Sequence, residues 1–373
     1  MSSMVIDRRS VLRGATAMSA AGLLPLSVQA NALATPLFIS SVRRGASAFG
    51  LVILNERGDI LREIPLAARG HDAVVHQPTG QGVVFARRPG TFAVAFDLTD
   101  RKPPTAFQSP SDRHFYGHGV FSRDGRLLYA TENDFDNARG VIGVYDVHTS
   151  FKRIGEFESH GVGPHDILLS PDGKDLVVAN GGIETHPDAG RSKLNVADMR
   201  PSLVFLDRQT GDLIVRHELP RSMHKLSIRH LDMDARGTVW FGAQWEGGLD
   251  DAPSLVGTAG LEKPLSLITS LDHMGGSLQG YIGSVAMSAD GRLLAASAPR
   301  AGRVLYIDTA QHAVVGETVL DDGCGVAPAY ASEFAISSGN GDFVRSKPHQ
   351  PATQNRHPAL AFDNHMIAAH LTR

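Results

Sequence analysis

The chain has 373 residues, 20% of them charged, a formal net charge of −3 and a single cysteine, Cys324. That balance offers no basic field for nucleic acid or for an anionic membrane surface. One cysteine excludes an internal disulfide, a CxxCH haem attachment and a cysteine-held zinc or iron–sulfur centre.

The first predicted element is a targeting segment. Asp7-Arg8-Arg9-Ser10-Val11-Leu12-Arg13 precedes a weakly apolar stretch, GATAMSAAGLLPLSVQA, and small residues that suit cleavage after Ala30 or Ala34. Paired arginines, an early Val-Leu and an apolar region diluted by Gly, Ser and Thr predict a twin-arginine export signal over residues 1–34 and a periplasmic mature protein. The stretch is too short and too weakly apolar to span a bilayer, so no stable membrane insertion is expected after signal removal. Residues 35–373 read as one domain, because no Pro/Gly/Ser linker divides them and no helical period persists.

Repeats dominate the rest. QPTGQGVVFA (77–86), SRDGRLLYA (122–130), SPDGKDLVVA (170–179), DARGTVWFG (234–242) and SADGRLLAA (288–296) are versions of one hairpin with a Gly-containing turn. A third strand follows most of them and ends at an Asp-led turn: Phe96-Asp97, Tyr145-Asp146, Leu206-Asp207 and Ile307-Asp308. Four antiparallel strands in about 40 to 50 residues are the mark of a β-propeller blade. His71, His118 and His165 recur every 47 residues. Inner strands starting near His71, His118, His165, His230, Gly283, Tyr330 and His365 then give an all-β, seven-bladed β-propeller. The C-terminal NHMIAAHLTR resembles an inner strand, and residues 37–66 supply three strands with none before them. One C-terminal strand plus three N-terminal strands therefore close the ring and remove its open edge.

Topology assigns the ionisable residues to one mouth. With inner strands starting at the five histidines, Arg87, Glu132, Asn133, Asp134, Asn180, Gln244, Trp245 and Arg300 fall at or just beyond the ends of the second strands, which lie on the same face. An insertion, GGIETHPDAGR, adds Glu184, His186 and Arg191 as a lid over that mouth, since long loops on a rigid scaffold are where sites concentrate. A ring of neutral imidazoles from His71, His118, His165, His230 and His365 can bind a transition metal such as Fe or Cu, with Glu132 or Asp134 as an oxygen ligand. The alternative for each histidine is a strand-tying hydrogen bond, and no HxH or HExxH spacing is present. Cys324, read into the loop entering blade six, is either a buried thiol or a soft ligand that favours copper. Trp245 either packs between blades or offers a stacking face.

The segments FYGHGVFSRDGRLLYATEND, GVGPHDILLSPDGKDLVVANGGIETHPDAGRSKLN and FDNHMIAAH resemble an uncharacterised family of exported bacterial proteins read as seven-bladed propellers. The resemblance spans essentially the whole mature chain. It implies a setting beside imelysin-type periplasmic iron-uptake proteins and a di-haem peroxidase-like protein, hence a role in iron or copper handling, and it implies no catalytic residue. Three functions follow in order: a metal- or ligand-binding accessory protein of an uptake system, a metal-dependent lactonase-like hydrolase using Glu132, His165, Asn180 and Glu184, and a docking scaffold.

Overall fold

The computed structural model describes residues 36–350 and 352–370; the export signal expected over residues 1–34 lies outside them. Seven four-stranded antiparallel sheets follow one another around a central channel. Six are continuous in sequence: residues 70–108, 113–158, 164–218, 226–267, 284–319 and 323–356 form blades one to six. The seventh joins the inner strand Leu360–His370 to Pro36–Arg44, Ala48–Leu54 and Ile60–Leu66. Phe38 pairs with Ala368 and Leu37 with Ala369, so the expected closure is present and unpaired inner edges are removed. Among the described residues no helix is long and apolar enough to cross a membrane.

Local chemistry explains why the repeats fold alike. In blades two, three and five, the Ser of S-x-D-G donates to the Asp two residues on (Ser122–Asp124 2.6 Å, Ser170–Asp172 2.7 Å, Ser288–Asp290 2.7 Å). The same hydroxyls accept the N–H of Leu127, Asp175 and Leu293, which starts the return strand. The glycine that follows adopts φ near +70° (Gly125 69°, Gly291 70°), a conformation other residues reach only with strain. Blade four replaces the pair by Asp234, whose carboxylate accepts from the N–H of Arg236 and Thr238. The third-strand aspartates also behave as predicted: Asp97, Asp146, Asp207 and Asp308 each cap the turn after them.

Alternating strand residues then pack blade on blade. Val177, Leu203 and Phe205 of blade three meet Trp240 and Phe241 of blade four in one cluster, which continues to Leu294 and Leu305 of blade five. The closing blade is held on both faces, by Phe38, Val52 and Phe362 with Phe343 of blade six, and by Leu51 and Ile53 with Val84 and Phe96 of blade one. Each such large side chain contributes about 1.5–3 kcal/mol by leaving water. Carboxylates stitch inner strands together as well: Asp166 accepts the Leu231 N–H at 2.8 Å and Asp232 the Met287 N–H at 2.6 Å.

The expected strand starts need correction. The inner strands begin at Gly70, Arg113, Pro164, Leu226, Ser284, Gly323 and Leu360. His118, His230 and His365 thus sit within strands, several residues inside the channel. Tyr330 lies in the turn after its inner strand, and Cys324 is on the strand Gly323–Pro328 rather than in the loop before it.

Candidate functional site

Each histidine-bearing inner strand is irregular where its histidine lies. Register slips occur between Gly70 and Ala73, Phe115 and Gly119, Pro164 and Asp166, and Ile228 and His230. The C-terminal strand slips as well: its Phe362 and Met366 pair with Val42 and Ser40, four residues spanning two. A bulge bends the strand and re-aims the extra residue. Here the bulged segments bring the rings of His71, His118, His165, His230 and His365 together in the channel. Neighbouring ring centroids are 4.5 Å apart for His71–His365, 4.7 Å for His118–His365, and 4.9 Å for both His118–His165 and His165–His230. Close approach demands Gly117, which has φ 109°; a Cβ there would stand 2.4 Å from Cδ2 of His71.

Ligand atoms of His71, His118, His165 and His365 all lie within 4.8 Å of one another, the one set with metal-ligand spacing among the described residues. Two nitrogens bound on opposite sides of one ion stand about 4.1 Å apart, from a metal–nitrogen bond of about 2.0–2.1 Å. Nitrogens set tetrahedrally stand closer, about 3.4 Å apart, so closing around an ion draws the widest pair together by up to about 1.4 Å. His230 completes the cluster as a neighbour of His165 and lies outside the four.

Electrostatics keep most of these rings neutral. Burial, and then the neighbouring His365, push His71 down to about 3; burial lowers His365 to about 4. His165 and His230 are held well below the usual range by burial, with Arg229 next for His165 and His365 next for His230. His118 is the exception. Burial opposes its charge, yet Asp166 and Asp72 outweigh it and raise His118 to about 10.

Carboxylates back two of the rings. Nδ1 of His71 is hydrogen-bonded to Asp363 at 3.3 Å; Nδ1 of His118 is 3.1 Å from Asp72 and 3.3 Å from Asp166, at ion-pair distance although poorly aligned for hydrogen bonds. A carboxylate on one ring nitrogen orients the ring and raises the basicity of the other, which is how metal-binding histidines are commonly supported. Nε2 of His118, His165, His230 and His365 is buried with no hydrogen-bond partner among the described residues. Such orphaned groups ordinarily cost about 1–3 kcal/mol each.

Above the cluster the channel widens into a cavity of about 540 Å³ that reaches down to His71, His165, His230 and Cys324. Its walls hold Arg87, Arg191, Gln244 and Arg300, all expected at this mouth. Other expected residues are elsewhere. Glu132 is fully buried in blade two, accepting from Tyr145 Oη at 2.5 Å and Arg153 Nη2 at 2.8 Å. Asp134 is held by Asn137 and Arg139, and Asn133 donates to the Thr185 carbonyl. Asn180 donates to the Ser159 carbonyl and Ser202 Oγ. The insertion leans on blade two, where His186 meets Asp136 and Phe135, and of its three candidates only Arg191 reaches the cavity wall. Glu184 and Trp245 do not line the cavity either; the Trp245 indole donates to the Gly248 carbonyl. The structure therefore does not assemble Glu132, His165, Asn180 and Glu184 into a ligand set. Cys324 is buried against the carbonyls of Asp363 and Ser337, and burial first, then Asp322 and Asp363, push its thiol up to about 12.

Sequence reading missed Asp72, Asp166, Asp363, Arg69, Arg88 and Arg229. A signal was present: RGHD, PHD, RHLD and DNH place an acid within two residues of a histidine in four inner strands, and two of them add an arginine just before it.

No curated protein matches the chain. Its structure is similar to Kuenenia stuttgartiensis hydrazine synthase, with a TM-score of 0.57 and 13% identity over 84% of this chain and 93% of that one. It is also similar to the Myceliophteria thermophila Cps50 (Swd1) β-propeller domain, with a TM-score of 0.56 and 13% identity over 81% of this chain and 96% of that one. At such identity both likenesses concern the fold. Residues 64–369 match a family described as "protein of unknown function (DUF1513)", and the chain belongs to that family.

Proposed function

We propose that this propeller binds a transition metal in its channel through His71, His118, His165 and His365. The observation that carries the reading is the convergence of four buried imidazoles whose ligand atoms lie within 4.8 Å of one another: the Nε2 atoms of His118, His165 and His365 lack a partner among the described residues, and His71 and His118 stand beside carboxylates. Imidazole donors suit Cu, Fe, Ni and Zn, and affinities for one site rise toward Cu(II) along the first-row series. Fe and Cu are the ions that the family resemblance favours. The setting we infer is the periplasm, as an accessory of an iron- or copper-uptake system with an imelysin-type partner; the Arg8-Arg9 segment supports export.

Elemental analysis of protein purified from its own export route tests the reading. Close to one equivalent of Cu or Fe per chain is expected, reduced in H118A. Metal-free protein from cells supplied with both ions would contradict it. Replacing Arg8 and Arg9 together by Lys is expected to hold the precursor in the cytoplasm, and undiminished periplasmic accumulation would contradict export.

A further inference from the structure

The cavity above the histidines carries a charge unlike that of the protein. The chain is acidic overall, at −3, yet eight Arg and Lys side chains line this one mouth against the carboxylates of Asp322 and Asp363. Asp363 is already committed to Arg69 and Arg87, and Lys193 is held by Glu246 outside the cavity. Arg88, Arg191, Arg229 and Arg300 have no carboxylate partner among the described residues. Arg229 donates only to Ser227 Oγ, at 2.8 Å, and Arg300 rests over the Tyr281 ring at 4.2 Å. Burial, followed by neighbouring guanidiniums, lowers the proton affinity of Arg88 and Arg191, as expected where like charges share one desolvated space.

Fixed cations gathered in a concave, partly desolvated wall repel one another unless a counter-charge joins them. Guanidinium forks match the paired oxygens of carboxylate and phosphate groups. A single carboxylate would satisfy one or two of these forks and leave the rest unpaired. The Tyr116 and Tyr281 side chains on the same wall add hydroxyls; Tyr281 Oη accepts from Asn364 at 3.2 Å, which leaves its own proton for a ligand oxygen.

We propose that this cavity is a binding site for a small multivalent oxyanion, bearing two or more carboxylate or phosphate groups, held by Arg88, Arg191, Arg229 and Arg300. The site stands without the metal. If the metal reading above also holds, one consequence follows: the positive mouth repels a bare divalent cation, so the ion enters as an anionic complex whose oxygens stay on the arginines while the imidazoles take the metal.

The test is calorimetric titration of the full mature chain, stripped of metal and desalted, with citrate, pyrophosphate and acetate at low and at physiological salt. Citrate or pyrophosphate is expected to bind at least tenfold more tightly than acetate, weakening as salt rises. Whichever of the two binds more tightly tells carboxylates from phosphates. The double variant R191Q/R300Q, at two exposed positions, is expected to fold normally and to lose at least tenfold in that affinity. H365A, whose ring belongs to the imidazole cluster but does not line the cavity, is expected to stay within about twofold of wild type for the anion, which separates this site from the metal. Acetate binding as tightly as citrate and pyrophosphate, or a double variant with unchanged affinity, would overturn the anion site. Metal titration of the same samples reports on the imidazole cluster independently.

Discussion

Glu132 separates a carboxylate that builds the propeller from one that serves its channel. In E132Q the side-chain volume is kept, so no cavity opens, but the charge that holds Arg153 Nη2 at 2.8 Å is lost, as is the longer attraction to Arg113 Nε at 3.9 Å. A hydrogen bond to a charged group is worth about 1.5–3 kcal/mol, and breaking a buried ion pair outright costs about 3–5 kcal/mol. The lower range applies here, because Arg153 keeps Glu156 at 2.7 Å and Arg113 keeps Asp112 and Glu156 at 2.7 and 3.0 Å. A loss of about 2–3 kcal/mol is expected. Unfolding entropy of about 2.1 cal/mol/K per residue converts that into about 3–4 °C for a domain of this length. Thermal melting of the metal-free protein measures the shift, and metal titration of the same sample is expected to match wild type. A tenfold fall in metal affinity with unchanged melting would refute the structural assignment.

Gly117 is expected to be a second control on the cluster: G117A forces a left-handed residue and drives a methyl into His71, so metal affinity should drop about tenfold and stability by about 1–3 kcal/mol, read by the same titration and melt. Unchanged metal affinity in a folded G117A would show that His71 is not needed. His114, pushed down to about 4 by burial, gives a pH signature away from the cluster. Its unfolded-state value near 6.5 exceeds the folded one, so the unfolded chain takes up the proton first and stability falls as pH drops from about 6.5 to about 4. Denaturant unfolding of metal-free protein should therefore show wild type losing about 3 kcal/mol more than H114N between pH 7 and pH 4; equal losses would contradict the buried neutral ring.

The architecture was legible because it rests on local chemistry. S-x-D-G turns, Asp-led third-strand turns and the orphan strands at both ends are short-range signals, and they sufficed for seven blades and the closure. The site was legible only as a set of histidines. Their recurrence every 47 residues gave the blade period, but starting strands on them set His118, His230 and His365 several residues too far out. The bulges responsible depend on pairing with the neighbouring strand, which no single strand sequence displays. For the same reason Glu132 and Asp134 read as mouth residues: their partners Arg153 and Arg139 come from other strands of the same blade, and a carboxylate at a strand end looks alike whether it faces solvent or a buried guanidinium.

The central claim is that the buried imidazoles form a metal site, and His165 tests it most directly because its Nε2 has no partner to lose. Copper and iron titrations of metal-stripped wild type and H165A, with melting of both metal-free forms, should show submicromolar binding in wild type. H165A should bind at least tenfold more weakly, with melting little changed. A wild type that binds neither ion more tightly than millimolar, or an H165A protein that melts far lower while its metal affinity is intact, would contradict the account and make the histidines part of the scaffold.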